Sequence, residues 1–72
     1  MVKINKLKGR IVEQGYSVAS LADAVSIDRA TLYRKIAGKG EKFTIREVAE
    51  IAKALQLNKE ELNIIFFSHD VA

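Results

Sequence analysis

The sequence contains no cysteine and no proline, and among its 72 residues there are only four glycines and one histidine, His69. Without cysteine there can be neither disulfides nor thiolate metal sites, and a lone histidine cannot assemble a metal site, so no metal or other cofactor is expected. No stretch approaches the roughly eighteen apolar residues of a membrane span. The basic start (Lys3, Lys6, Lys8, Arg10) is interleaved with Ile4 and Leu7 instead of preceding an apolar signal segment. A soluble, unprocessed, cytoplasmic protein with no membrane partner is the expectation. Catalysis is not expected either. There is no glycine-rich phosphate loop and no histidine in the body of the chain, and so short a chain leaves little room for a deep small-molecule pocket. His69 and Asp70 form no recognisable dyad and read as a frayed tail.

What is present is enough for one core. Apolar residues make up 49% of the chain and charged residues 29%, a globular balance, and the length suits one domain over residues 1–72. The net charge of +3 is unevenly placed. Residues 1–42 hold nine Lys or Arg against four acids, a balance of +5, and residues 43–72 hold three against five, a balance of −2. Such polarity aims the first half at a polyanion and leaves the second for packing or a protein partner.

The periodicity is helical throughout. Ile4, Leu7 and Ile11, with Val12 beside them, predict an amphipathic helix over 3–14 that Gly15 stops. Ser17 caps a second helix whose apolar face is Val18, Leu21, Ala22 and Val25, ending near Ser26 and Ile27. Asp28 opens a third, where its carboxylate can accept from the amide of Ala30 or Thr31 and complements the helix dipole. Leu32 and Ile36 face inward there, Arg29, Ala30, Tyr33 and Arg34 face outward, and Gly38 ends the helix. After the KGEKF loop, Thr44 and Glu47 form a capping box, and Phe43 with Val48 a hydrophobic staple, for a fourth helix buried through Val48, Ile51, Ala52 and Leu55. Asn58 caps a fifth, with Glu60 and Glu61 in its first turn and Leu62, Ile65 and Phe66 on its apolar side.

The stretch SVASLADAVSIDRATLYRKIAGKG, followed by FTIREVAEIAKALQLNKEEL, resembles the Cro and repressor class of phage helix-turn-helix domains, from about Ile4 to Leu62. The resemblance rests on Leu21-Ala22, the turn at Ser26-Ile27, Gly38, the Ile51–Leu55 helix and Glu60–Leu62 at matching intervals. It implies an all-α, compact five-helix lambda-repressor-like bundle, with the helix-turn-helix at about residues 18–37 and a third helix that enters the major groove. The residues implied to contact the target are Asp28, Arg29, Ala30, Tyr33 and Arg34, with Lys35, Lys39 and Lys42 near phosphates. Arg29 and Arg34 are the candidates for base reading, since Arg to guanine N7 and O6 is the commonest direct contact. The family often has a polar, phosphate-contacting side chain where this chain has Val18, and often glycine at Ser26.

The length and the hydrophobic IIFF end also resemble the modulator-of-repression proteins, small antirepressors encoded in the Cro position of some temperate lactococcal phage switches. That resemblance implies binding to the DNA-binding domain of the phage repressor, instead of or alongside operator DNA, inside a bacterial host cell. Asp28 would then pair with an Arg or Lys that otherwise meets phosphate. Lys3, Lys6, Lys8 and Arg10 read as a solvated face. In the run from Ile64 to Phe67, Ile65 and Phe66 continue the core stripe, which leaves Ile64 and Phe67 for a partner, in a homodimer or against another protein.

Overall fold

The computed structural model describes residues 2–38 and 42–67, and within them every regular element is an α-helix: α1 (Ile4–Glu13), α2 (Val18–Ala24), α3 (Arg29–Ile36), α4 (Ile45–Ala54) and α5 (Lys59–Phe66). The expected all-α, five-helix architecture is therefore what the chain adopts. None of these helices is long and apolar enough to cross a membrane. His69, Asp70 and Lys39 lie outside the described residues.

Local chemistry sets each start. Ser17, Thr44 and Asn58 each accept from the amide three residues on, and Ser20, Glu47 and Glu61 reach back to the cap amide, so α2, α4 and α5 all open on complete capping boxes. Asp28 accepts from the Thr31 amide at the head of α3. α1 has no side-chain cap; instead the Lys3 amide donates to the Ile65 carbonyl at 2.7 Å, which ties the start of the chain to α5.

The helix ends repeat one device. After α1 the Gly15 amide donates to Val12 and the Tyr16 amide to Ile11, the paired bonds of a Schellman motif, with Gly15 at φ +83°. The same pairs recur after α2 (Ser26 to Asp23, Ile27 to Ala22) and after α4 (Gln56 to Lys53, Leu57 to Ala52). There the left-handed position is filled by Ser26 (φ 56°) and Gln56 (φ 54°), not by glycine. A short chain with few glycines thus carries backbone strain at two of its corners, one of them the turn between α2 and α3.

The core is one cluster drawn from every helix: Leu7 and Ile11, Leu21, Ala22 and Val25, Leu32 and Ile36, Val48, Ile51 and Leu55, and Ile65 with Phe66. Phe43 packs on it, edge-on to Phe66 with ring centroids 5.6 Å apart, which fixes the segment leading into α4. Leu21, Ala22 and Leu32 are fully buried, so the closely packed α2–α3 pair is anchored as a unit. Removing a side chain such as Leu32 costs about 2–5 kcal/mol. That is comparable with the roughly 3–5 kcal/mol a core of this size supplies.

Two expectations for α1 need correction. Val12 is 74% exposed and belongs to the outer face, because it follows Ile11, which takes the inward position. Arg10 is not part of a solvated face. Its Nη1 meets Glu13 Oε1 at 2.7 Å, its Nη2 donates to the Leu55 carbonyl at 3.3 Å, and its Nε lies 3.4 Å from Glu61 Oε2. One guanidinium therefore joins α1 to the end of α4 and to the first turn of α5, a use suited to the planar five-donor fork of arginine.

Candidate functional site

α3 is a two-turn helix with an inner row and an outer surface. Leu32 and Ile36 point into the core, and Asp28, Arg29, Ala30, Tyr33 and Arg34 are all exposed, with Tyr33 at 53%. The residues expected to meet a target from this helix therefore share its open side, apart from one. Lys35, expected near phosphates, is buried. Its Nζ donates to Glu47 Oε1 at 2.6 Å and stands 6.0 Å from the centre of the Phe43 ring. The helical turn places position 35 beside Ile36, against the start of α4, so its charge serves the scaffold. Lys42 is exposed.

The outward arginines are held by hydrogen bonds. Arg29 grips Asp23 of α2 with two donors, Nε to Oδ1 at 3.0 Å and Nη2 to Oδ2, across the turn between the helices. This hydrogen bond, more than the charge alone, holds the Asp23 carboxyl below its ordinary value and the Arg29 guanidinium above its own. Arg34 Nη2 donates to Thr31 Oγ1 at 3.3 Å, and that hydroxyl donates to Asp28 Oδ2 at 3.4 Å. Each arginine is thus connected to an aspartate, one directly and one through a threonine.

Asp23 and Thr31 were not singled out by sequence reasoning. Asp23 lies six residues before Arg29, a spacing with no meaning along a single helix, and only the turn brings the two together. Thr31 was within reach, since it sits three residues from both Asp28 and Arg34, the spacing of helical neighbours.

The charge of the α2–α3 segment follows from these pairings. Residues 17–38 carry Asp23 and Asp28 against Arg29, Arg34 and Lys35. With Lys35 matched internally to Glu47, two acids face two bases. The surface is arginine-bearing but balanced.

Elsewhere, Ile64 on α5 and Phe67 just after it are 37% and 50% exposed, and Ile45, the first residue of α4, is 87% exposed. Between α1 and α5 an open groove of about 280 Å³ is bounded by Gly9, Arg10, Glu61 and Ile64. Among the described residues no three His, Cys, Asp or Glu side chains are grouped to hold a metal.

The family model described as the Cro/C1-type HTH DNA-binding domain matches the chain over residues 6–68. The chain belongs to that family. No curated protein and no solved structure matches it. As a member of the Cro/C1-type family it carries a helix-turn-helix DNA-binding type of domain.

Proposed function

We propose that this chain is a transcription regulator of a phage genetic switch, acting in the host cytoplasm, that works stoichiometrically by engaging operator DNA and/or the cognate repressor. The observation that carries this reading is the exposed side of α3, with Arg29, Tyr33 and Arg34 held outward from a sealed core. A helix of this kind fits the major groove, and an arginine there reads guanine with two donors. Asp28, Ala30 and Lys42 complete the contact surface, and Lys39 is proposed to join them. Lys35 takes no part in it, because Glu47 occupies its ammonium.

A second reading, antirepressor action on the DNA-binding domain of the phage repressor, is favoured by the charge balance of the helix-turn-helix. Phosphate neutralisation supplies a large share of the affinity for DNA, and residues 17–38 contribute no net positive charge to it once Lys35 is matched by Glu47, which leaves that task to Lys39 and Lys42. A repressor surface built to meet phosphate is basic, and Asp23 and Asp28 suit such a target. Ile64 and Phe67 offer a further apolar contact, either to that protein or to a second copy of the chain.

Operator-shift experiments separate the two. If the chain reads DNA, it retards operator fragments in a salt-sensitive way, and Arg34→Ala relaxes sequence preference at a cost of about 1–3 kcal/mol. If it is an antirepressor, mixing it with the repressor yields a defined heterocomplex that no longer retards the operator. An operator shift by repressor that persists unchanged at saturating protein refutes antirepression. Sequence-independent binding indifferent to Arg34→Ala refutes base reading.

A further inference from the structure

We infer that Asp23 is a specificity-determining residue that occupies the phosphate-binding edge of Arg29 and so turns the helix-turn-helix away from nucleic-acid backbone and towards a basic protein surface. The inference deepens the antirepressor reading and rests on it for the identity of the favoured partner. Its geometric core, that Asp23 competes with phosphate for Arg29, stands without that reading.

The edge formed by Nε and one terminal nitrogen is a pair of parallel donors that fits two oxygens of a carboxylate or of a phosphate equally well. In this protein both donors are taken by Asp23. For Arg29 to meet a phosphate it must leave a bidentate partner on its own chain, and the vacated carboxylate then remains beside the DNA as a like charge. Both side chains are more than half exposed, so the pair is open to exchange and acts as a competitor, not as a fixed strut. At the other arginine the link is weaker, since Arg34 Nη2 donates to the neutral Thr31 hydroxyl, which in turn donates to Asp28. A basic protein target meets the reverse situation. Arginine or lysine side chains can add to the free lone pairs of Asp23 and Asp28 without breaking either link, since each carboxylate oxygen accepts more than one hydrogen bond. Asp23 is ionised at neutral pH, as an exposed aspartate is, and its bond to Arg29 lowers the carboxyl further.

The test uses the intact chain and a fluorescein-labelled duplex of random sequence, with affinity read by anisotropy across a salt series. The proteins are the parent, Asp23→Asn, Arg29→Ala and the double variant, each checked for an unchanged helical circular dichroism spectrum. Releasing Arg29 for one more phosphate steepens the log–log salt slope of Asp23→Asn by about 0.9, so its advantage over the parent grows about 3.5-fold as salt falls from about 200 to about 50 mM. In the Arg29→Ala background the same Asp23→Asn change leaves the slope unaltered. Equal slopes for parent and Asp23→Asn overturn the proposal. So does an Asp23→Asn gain that is undiminished without Arg29, since that would be bulk charge and not competition for one guanidinium. A parent protein that binds no repressor fragment removes the named partner and the antirepressor reading with it, whereas the slope comparison judges the competition separately.

Discussion

The buried Lys35–Glu47 pair allows a sharp test of how α3 is held. The ammonium and carboxylate approach to 2.6 Å with only 10% and 16% of the two side chains exposed, and the same Glu47 oxygen accepts the Thr44 amide at 2.8 Å. Removing one partner of a fully buried pair costs about 3–5 kcal/mol. Here the stranded carboxylate of Lys35→Met keeps its Thr44 amide and some water, so the expected loss is about 2–3 kcal/mol. Glu47→Gln should lose a similar amount, and Glu47→Ala about 1 kcal/mol more because the capping box goes too. The Lys35→Met/Glu47→Gln double variant should recover much of the stability, since two neutral side chains of similar shape need no desolvated charge.

Urea unfolding followed at 222 nm, arranged as a double-mutant cycle, measures the coupling directly. A coupling energy of about 1.5 kcal/mol or more is expected. A Lys35→Met loss below about 0.5 kcal/mol with no coupling, the behaviour of an exposed pair, would refute the argument. Acid titration adds a check of sign. Burial pushes the Glu47 carboxyl up, but Lys35 and Thr44 outweigh it and the folded value lies below the ordinary one. The stabilisation is therefore complete above the unfolded value of about 4.3 and disappears as pH falls through the lower folded value. The double variant should lose less stability over that acid interval than the parent.

Two further outcomes are expected. Ser26→Gly and Gln56→Gly each relieve a left-handed position and should raise stability by about 0.5–1 kcal/mol, roughly 2–8 °C in melting temperature for a domain of this size. Glycine at Gly38 or Gly15 replaced by alanine should do the opposite, since both have positive φ (+73° and +83°) although neither added Cβ would meet another atom. Calorimetry of the four variants checks the pair of signs together.

The parts of this fold that were legible in the sequence are those decided within one or two helical turns. Ser17, Asp28, Thr44 and Asn58 act as caps as expected. The inward rows at Leu21, Leu32, Val48, Ile51 and Ile65 follow from three- and four-residue spacing. What escaped were the interactions that need the helices already placed. Lys35 meets Glu47 across a loop, Arg29 meets Asp23 around a turn, and Arg10 touches partners as distant as Leu55 and Glu61. No local pattern encodes those encounters, and all three involve long charged side chains, whose reach makes the face of the helix a poor guide to where the charge ends.

Those encounters bear directly on function, because the basic count of the first 42 residues overstates what a polyanion would meet. Of its cations, Arg10, through Leu55 and Glu61, and Lys35, through Glu47, join helices, and Arg29 is matched by Asp23. Among the described residues, the exposed Lys6 and Lys8 of α1 and Lys42 after α3 then carry much of the unevenness read as a DNA-facing half, while residues 17–38 are neutral once Lys35 is matched by Glu47. A family built to place a helix in the major groove has here kept the scaffold and balanced the charge on the helix. On the reading proposed above, the same outward α3 that would read bases would also be a surface on which a basic protein competes with DNA, with the charge at Asp23 as the variable between them.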